Sequence, residues 1–333
     1  MKKAIILLPI VLTILLPSIA LALPNPNNTG LTAKVIAAKG QMITGIVDAT
    51  GFDIGVYVGP GITGVIITKA TITGANDHGI FIEDTSNVIV QNSIISGNGI
   101  SPHGGIPEDK AITLSGTTNC IVKDNNVSFN LNDGGIAVTD DGAFDPAAPN
   151  PGLSRPGRGN IVIGNLVKDN LIGCGIIVAA YNPGQGVSDN IVMNNMVIGN
   201  SPGPFPPYVG GIVVAADTPN TIAKCNLVLK NTVLGGWIPG IIIHSNAPGD
   251  FVSGTIVVGN TLDSNGAFPP SMPNDAQKPT GINIVAETPT SVLTNTLVIG
   301  NVVSNDYYGV WHLYDTDTLI VGLKGNTVVP IAP

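Results

Sequence analysis

One polar residue type returns at a nearly fixed place along this chain, and this recurrence limits the fold more than any other feature. An asparagine recurs at intervals of 25 to 41 residues, each time with an aliphatic residue three positions before it and another two positions after it. The variation in spacing falls in stretches rich in glycine and proline. A period of this length indicates one structural unit that is stacked many times. The recurring asparagines are Asn92, Asn125, Asn165, Asn195, Asn226, Asn260, Asn301 and Asn326.

Each unit contains three short extended runs. The first ends at the recurring asparagine, the second ends at a further polar residue, and the third opens on a small residue and alternates apolar side chains, as in Gly175-Ile176-Ile177-Val178. Strands this short, each matching a strand one repeat away, must pair in parallel with the next coil, about 4.8 Å along the axis. The second polar column is Asn130, Asn170, Asn200, Asn231, Asn265 and Asp306. Nine copies of the third run predict about nine coils, and they begin at Gly55, Gly79, Ala111, Gly135, Gly175, Gly211, Gly240, Gly281 and Gly309.

The asparagine column has a physical explanation in such a stack. At a sharp corner between strands, an inward amide can donate to and accept from the backbone and its equivalent one coil away. The pattern resembles the right-handed parallel β-helix family, a pectin-lyase-like superfold shared by pectin-degrading enzymes and many uncharacterised secreted or surface proteins. The resemblance covers about residues 43–329 and implies an all-β solenoid domain over 43–333 with an internal Asn ladder. It is specific for the fold and unspecific for function.

The N-terminal segment predicts export. Residues 1–22 combine two lysines, an apolar run and an Ala-Leu-Ala motif, which favours a cleaved signal peptide over an uncleaved anchor. The mature chain then begins at Leu23 and acts outside the cytoplasm, secreted or at the cell surface, with the periplasm as the alternative. Residues 23–42 lead into the repeats, and 31–39 is a candidate helix that caps the first coil, so we expect a capped monomer. No later apolar run approaches the ~20 residues that a membrane span needs.

Charge and cysteine usage exclude some partners. The chain has 14 basic and 22 acidic side chains, and removal of the signal peptide leaves 12 basic ones and a net charge of −10. An acidic chain does not bind nucleic acid through bulk electrostatics. The three cysteines, Cys120, Cys174 and Cys225, show no CxxC spacing, so we interpret them as buried small residues.

The outward positions of the third run predict a contact surface. Alternation places Ile177, Val213 and Ile242 on the outside of three consecutive coils. An aliphatic stripe at such positions marks a contact surface or is covered by a loop. An aliphatic centre argues against an enzyme, because polysaccharide-cleaving members of this superfold commonly place acidic and catalytic residues on this sheet.

A polar column follows the third run, six residues after its glycine, and holds the candidate site. Asp141 and Asp217 lie two coils apart, so roughly 10 Å in a regular stack, near the upper end of the 6.5–9.5 Å that separates the carboxyls of inverting glycosidases. One hypothesis is acid–base catalysis by Asp141, Asp217 and His244, and the alternative is that these residues only bond turn backbone. The candidate binding residues are Tyr181, Asn246, Glu287, Arg155 and Arg158, of which the two arginines could bind a uronate.

Complete catalytic and metal signatures are missing from the sequence. Polygalacturonases carry Gly-His-Gly and Arg-x-Lys motifs, and this chain has neither, although Asp140-Asp141 matches their Asp-Asp motif. The segment 139–145 offers Asp140, Asp141 and Asp145 as candidate Ca²⁺ ligands, because calcium favours oxygen-rich loops. It matches no defined calcium-binding pattern.

Three functional hypotheses follow. The leading one is a secreted or cell-surface scaffold that binds a polysaccharide or a surface protein along its loop-decorated face. The alternative is a polysaccharide-active enzyme, a hydrolase, lyase or epimerase on acidic sugars. A self-associating matrix protein would follow if the C-terminal coil is uncapped.

Overall fold

The structure is a computed structural model that describes residues 30–100, 110–131, 134–140, 155–201, 209–236, 239–265, 279–325 and 329–332. Within these ranges the regular elements are β-strands, and no helix there is long and apolar enough to cross a membrane. The predicted signal peptide over 1–22 lies outside the described residues, as do Asp141, Asp145 and Asn326.

The strands are short and follow one another closely along the chain. In chain order they are β1 (Ala33–Ile36), β2 (Met42–Asp48), β3 (Ile54–Val58), β4 (Ile66–Thr73), β5 (His78–Glu83), β6 (Ile89–Gln91), β7 (Ile94–Ser96), β8 (Ile112–Ser115), β9 (Ile121–Lys123), β10 (Asn126–Ser128), β11 (Ile136–Thr139), β12 (Gly157–Arg158), β13 (Ile161–Ile163), β14 (Leu166–Lys168), β15 (Ile176–Ala180), β16 (Val187–Ser188), β17 (Ile191–Met193), β18 (Met196–Ile198), β19 (Ile212–Ala216), β20 (Ile222–Lys224), β21 (Leu227–Leu229), β22 (Thr232–Leu234), β23 (Ile241–Ser245), β24 (Phe251–Ser253), β25 (Ile256–Val258), β26 (Thr261–Asp263), β27 (Thr280–Ala286), β28 (Val292–Thr294), β29 (Leu297–Ile299), β30 (Val302–Ser304), β31 (Tyr308–Leu313), β32 (Leu319–Val321) and β33 (Val329–Ala332).

Three parallel sheets run along the solenoid axis. Sheet 1 has eleven strands in the order β1-β3-β5-β8-β11-β15-β19-β23-β27-β31-β33, sheet 2 has seventeen strands, and sheet 3 has five, β12-β16-β20-β24-β28. One turn passes from sheet 1 to sheet 3 and then through two strands of sheet 2, as β15, β16, β17 and β18 do. The nine predicted copies of the third run all belong to sheet 1, which has one further strand at each end.

The prediction of a capping helix over 31–39 is wrong. Ala33–Ile36 forms β1, which pairs in parallel with β3 through the register Ala33↔Ile54 and Val35↔Val56. The backbone N–H of Ala37 continues this ladder by donating to the carbonyl of Tyr57 at 2.9 Å. β-Branched residues in this segment suit a pleated strand, and the neighbouring coil supplies the backbone partners that a helix would otherwise satisfy internally.

An internal asparagine ladder confirms the main sequence prediction. The Oδ1 atom of Asn195 accepts hydrogen bonds from the backbone N–H and the side-chain amide of Asn165, at 2.9 and 3.0 Å. The Asn165 amide also donates to the carbonyl of Val122 at 2.9 Å. Each buried amide therefore joins adjacent coils and satisfies backbone groups that the corner would leave unpaired. This ladder comprises Asn125, Asn165, Asn195, Asn231, Asn260 and Asn301.

Two members of the predicted column do not belong to this ladder. Asn226 instead ends a separate ladder with Asn160 and Asn190. Asn231, which was expected in the second polar column, occupies the position that was predicted for Asn226 in the main ladder. The cause is β20, a strand of sheet 3 that precedes Asn226. Its residue Ala223 lies three positions before Asn226 and so matches the aliphatic position of the repeat pattern, although β20 is not the strand that leads to the main ladder. Asn92 lies at the corner with a φ of 49°, and the next residue, Ser93, donates its backbone N–H to Asn125 Oδ1 at 3.0 Å.

The core is a narrow column of aliphatic side chains between the sheets. Glycine opens the strands of sheet 1 because the corner is tight: a Cβ on Gly175 would lie 2.5 Å from Val197 Cγ1 and 2.6 Å from the Gly211 carbonyl oxygen. Close approach, more than backbone flexibility, therefore explains this glycine column.

Candidate functional site

The aliphatic stripe on the outer side of sheet 1 is buried. Its register is as predicted, Ile177↔Val213↔Ile242, but these side chains are only 7%, 2% and 0% exposed. They pack with Cys174 and Tyr181 in a second apolar cluster outside the main core. Of the two outcomes expected for this stripe, a contact surface or a covered surface, the structure shows the covered one.

A row of polar side chains lies at the exit of sheet 1 on four consecutive coils. We call Tyr181, Asp217, Asn246 and Glu287 the polar row. Backbone hydrogen bonds align it, since Asp217, Asn246 and Glu287 each donate an N–H to the strand end one coil earlier, at 3.0, 3.0 and 2.9 Å. Tyr181 is buried, and the other three are half-buried. The sequence-predicted column is thus confirmed over these coils as a partly accessible edge.

One side-chain hydrogen bond joins two members of the polar row, and one further contact reaches Glu287 from His244, which lies outside the row. The Asn246 amide donates to Asp217 Oδ1 at 2.7 Å. His244 Nε2 lies 3.2 Å from Glu287 Oε1, with the histidine 1% exposed and the glutamate 20% exposed. Glu287 is therefore a partly exposed residue whose carboxylate lies beside a buried imidazole. The sequence named both residues but did not pair them.

Asp140, a predicted calcium ligand, has a structural role in the described chain. Its carboxylate accepts backbone hydrogen bonds from Tyr181, Asn182 and Gly186 at 2.8, 3.1 and 2.9 Å. Burial raises the pKa of Asp140 to about 6, against the opposing effect of these hydrogen bonds. The carboxylate holds the turn that follows β15 through these hydrogen bonds, and its role as a calcium ligand stays a prediction. Its predicted co-ligands Asp141 and Asp145 lie outside the described residues.

A metal centre is not formed elsewhere in the part of the chain that the structure describes: no three His, Cys, Asp or Glu side chains there are grouped to hold an ion. Asp250, near Asp217, is likewise engaged by backbone, accepting from Thr221 and Ala247 at 3.1 and 2.7 Å. Burial raises the pKa of Asp250, and the negative charge of Asp217 raises it further. The polar row is therefore an electronegative edge.

The two arginines lie away from Asp217. Arg158 is in sheet 3, where its Nε donates to Asp189 Oδ2 at 3.0 Å, and both side chains are exposed. Arg155 Nε lies 3.8 Å from Asp84 Oδ1 at the wall of a cavity of about 220 Å³. The structure therefore does not bring either arginine to the polar row as a uronate clamp. The sequence analysis did not identify Asp84 as a partner of Arg155. The feature that could have indicated Asp84 is its position directly after β5, where other candidate residues also lie at strand ends.

Further polar side chains are buried on the outer side of the N-terminal coils. Tyr57 donates its hydroxyl to Glu83 Oε2 at 2.7 Å, and His78 Nδ1 lies 3.2 Å from Thr113 Oγ1. His78 also stacks on Phe81, with ring centroids 4.8 Å apart. These contacts give the residues a packing role at this end of sheet 1.

Comparison with known proteins places the fold. Residues 45–227, more than half of the chain, match the family model described as right handed beta helix region. None of the curated protein sequences compared with the chain matches it significantly.

Several solved structures share the architecture at low sequence identity. The Agl-KA catalytic domain is similar with a TM-score of 0.55 and 15% identity, over 88% of this chain and 47% of that one, so the chain spans about half of its length. An alginate lyase from Paenibacillus sp. str. FPU-7 gives 0.52 and 14%, over 91% and 86% of the two chains. The Streptococcus pneumoniae surface protein and adhesin PfbA gives 0.53 and 10%, over 91% and 90%. Such identities show the fold alone. By its sequence match and its architecture, the chain belongs to the right-handed β-helix family.

Proposed function

We propose that this protein is an exported carbohydrate-binding β-helix protein that holds an extended glycan along the polar row. The observation that carries the proposal is the alignment of Asp217, Asn246 and Glu287 as half-buried polar groups on consecutive coils. Coils repeat about every 4.8 Å, close to the length of one pyranose ring, so successive sugars would meet successive side chains.

The chemistry of the polar row suits sugar hydroxyls. Carboxylates accept hydrogen bonds, and the amide of Asn246 can both donate and accept. The hydrogen bond of 2.7 Å from Asn246 to Asp217 orients these two groups before a ligand arrives, and Glu287 lies 3.2 Å from the buried His244. Preorganisation of this kind lowers the entropic cost of binding.

The charge of the row favours a glycan that is not itself acidic. A uronic-acid polymer would bring carboxylates beside Asp217 and Glu287, and both arginines have acidic partners elsewhere. Like charges at short range disfavour such a complex. The proposed partner is therefore a hydroxyl-rich neutral polysaccharide, met outside the cytoplasm as the N-terminal segment suggests.

Titration of polysaccharides against the mature chain from Leu23 onward tests this proposal. Asp217→Asn and Glu287→Gln keep the side-chain shape and remove the charge, and each is expected to weaken binding about tenfold, as loss of a charged hydrogen bond does. Asp169→Asn is the matched control, because Asp169 is a half-exposed acid beside sheet 2. Equal binding by all four proteins would refute the assignment to the polar row.

A polysaccharide hydrolase is the second candidate, and one observation favours it. Glu287 is partly exposed, a buried imidazole contacts it, and Asp217 lies two coils away, about 10 Å at regular stacking. Glu287 would then act as general acid and Asp217 as general base toward water. Release of reducing ends that disappears in both Glu287→Gln and Asp217→Asn, and persists in Asp169→Asn, would make the protein an enzyme. Absence of release with binding intact would leave the binding function.

A further inference from the structure

A second aliphatic surface lies on the outer side of sheet 2. The strands β13, β17, β21, β25, β29 and β32 stack in parallel on consecutive coils. In each of these three-residue strands the middle residue points to the core, and the first and last residues point outward. Every outward residue is Ile, Leu, Val or Met, as in Ile191–Met193 and Leu227–Leu229. We call the outward side chains of these six strands the aliphatic face.

The aliphatic face is open to solvent, unlike the outer stripe of sheet 1. None of its side chains is buried, and Leu319 and Val321 are 56% and 47% exposed. By contrast, Val213 and Ile242 on sheet 1 are only 2% and 0% exposed. Exposed apolar patches of this kind, as distinct from scattered single residues, mark sites of contact with another molecule.

The extent of the face follows from strand geometry. Coils about 4.8 Å apart and outward residues about 6.6 Å apart on each strand give it an area of roughly 300 Å². The first outward position remains aliphatic on the four coils before β13, which adds Met42, Ile66, Ile89 and Ile121 and extends the area to about 400 Å². The largest apolar patch on a typical monomer covers about 300–600 Å² and is often functional.

Little stands above the face at the corner where the chain leaves it. The corner residue is a glycine with positive φ after four of the six strands, at Gly164, Gly259, Gly300 and Gly322. A flat partner can therefore approach the face from this side. None of the side chains of the face is ionisable, although the chain as a whole is acidic, so a second copy brings no like charges into contact there.

We propose that the aliphatic face is a self-association surface on which two copies of this chain pack face to face. The occupant of a flat, pleated, apolar surface has to be flat and apolar itself, since partners such as helices dock in grooves. The aliphatic face of a second copy meets this requirement with the same coil spacing, and sheets that pack in this way lie about 10 Å apart. One twofold axis relates the two copies, so both use the same patch.

The area sets the strength of this contact. A stable complex usually buries about 800 Å² on each partner, whereas the face supplies about 300–400 Å². The contact is therefore weak and reversible, and the expected monomer is its dilute form. The inference goes beyond the proposed glycan binding and does not depend on it, because the polar row follows sheet 1 and shares no residue with the face.

Sedimentation velocity of the mature protein from about 10 μM to about 1 mM tests the inference in the concentration range of weak complexes. The wild type is expected to shift from monomer to dimer across this range. The double variant Met193→Lys/Leu229→Lys places charges in the centre of the face, and its association should weaken at least about tenfold. The fold accommodates these changes, because Lys123 occupies the same outward column on an earlier coil.

The double variant Ile198→Lys/Leu234→Lys is the matched control. Both residues are half-buried outward side chains of β18 and β22, beyond the corner that ends the face, and Lys168 occupies their column on β14. This variant adds the same charge outside the face and should associate as the wild type does. Urea unfolding checks that each variant folds, and Leu229→Gln, which matches Gln91 in the same column, gives a second and milder test.

Each of the following results would overturn the inference. A wild type that stays monomeric at every concentration would exclude self-association. Equal association of the wild type and the face variants, or equal loss in the face and control variants, would exclude the aliphatic face as its site. A monomeric wild type that floats with phosphatidylcholine vesicles, when the Met193→Lys/Leu229→Lys variant does not, would assign the face to lipid instead.

Discussion

Asp306 is a carboxylate in a ladder position that asparagine occupies in other coils, and its replacement by asparagine should stabilise the protein in a pH-dependent way. The side chain is 2% exposed, and Asp306 Oδ1 accepts the backbone N–H of Asn265 at 2.7 Å. Burial raises the pKa of Asp306 from 3.8 to about 7, and the hydrogen bonds from Asn265 oppose only part of this effect. The folded state therefore favours the protonated form.

The magnitude follows from the difference between the folded and unfolded pKa values. Below about pH 4 the carboxyl of Asp306 is neutral in both the folded and the unfolded state. The substitution by asparagine then removes no cost of burying a charge. Between about pH 4 and 7 the unfolded chain loses its proton first, so the free energy of unfolding falls by about 1.4 kcal/mol per pH unit. Above pH 7 the full penalty is about 4 kcal/mol. The Asp306→Asn variant avoids this penalty, and its new side-chain amide could donate to the carbonyl of Leu262, as equivalent ladder amides donate to carbonyls in the preceding coil.

Hydrogen exchange of peptides within 297–313 measures this effect locally, because solenoid coils can open separately. Asp306→Asn should raise the local opening free energy by about 4 kcal/mol at pH 8 and by less than about 1 kcal/mol at pH 4. Asp169→Asn, at a half-exposed acid, is the control, and it should change the local opening free energy by less than about 0.5 kcal/mol. An equal gain at both pH values, or none at pH 8, would refute the reasoning.

Three further predictions concern stability, and urea unfolding measures each. Asn195→Ala should cost about 3 kcal/mol, because it leaves the buried N–H groups of Asn165 without an acceptor; a loss below about 0.5 kcal/mol would contradict the ladder. Ile242→Ser should cost about 2–4 kcal/mol, since the side chain is fully buried, whereas an exposed stripe would tolerate serine. Asp140→Ala should cost about 2–3 kcal/mol through the three backbone N–H groups that it leaves unpaired. Chelators should not change the unfolding midpoint of the wild type if this role is purely structural, and a chelator-sensitive wild type would support the calcium hypothesis instead.

The sequence predicted the repeat architecture because period and alternation are local properties. The nine strands from Gly55 to Gly309, their inward and outward faces, and the ladder residues Asn125, Asn165 and Asn195 could all be identified in this way. The predicted assignment of the ladder residue was wrong at Asn226, because sheet 3 contributes an extra three-residue strand whose composition matches that of its neighbours. Composition could not separate strands this similar.

The candidate site could be predicted only in outline. Spacing after the glycine located Asp217, Asn246 and Glu287 in one column, but alternation shows which side a residue faces and not what covers that side. The sequence therefore left Ile242 either at a contact surface or under a loop, and the structure shows that it is buried. The Asp84–Arg155 contact joins segments far apart in the chain, and no repeat relation connects them. Pairings of this kind depend on how loops return to the solenoid.

The most direct test of the proposed function is the affinity of the mature chain for neutral polysaccharides, compared between the wild type, Asp217→Asn, Glu287→Gln and the Asp169→Asn control. The account predicts saturable binding that falls about tenfold in each polar-row variant and stays unchanged in the control. Binding that is absent in the wild type, or equal in all four proteins, would contradict it.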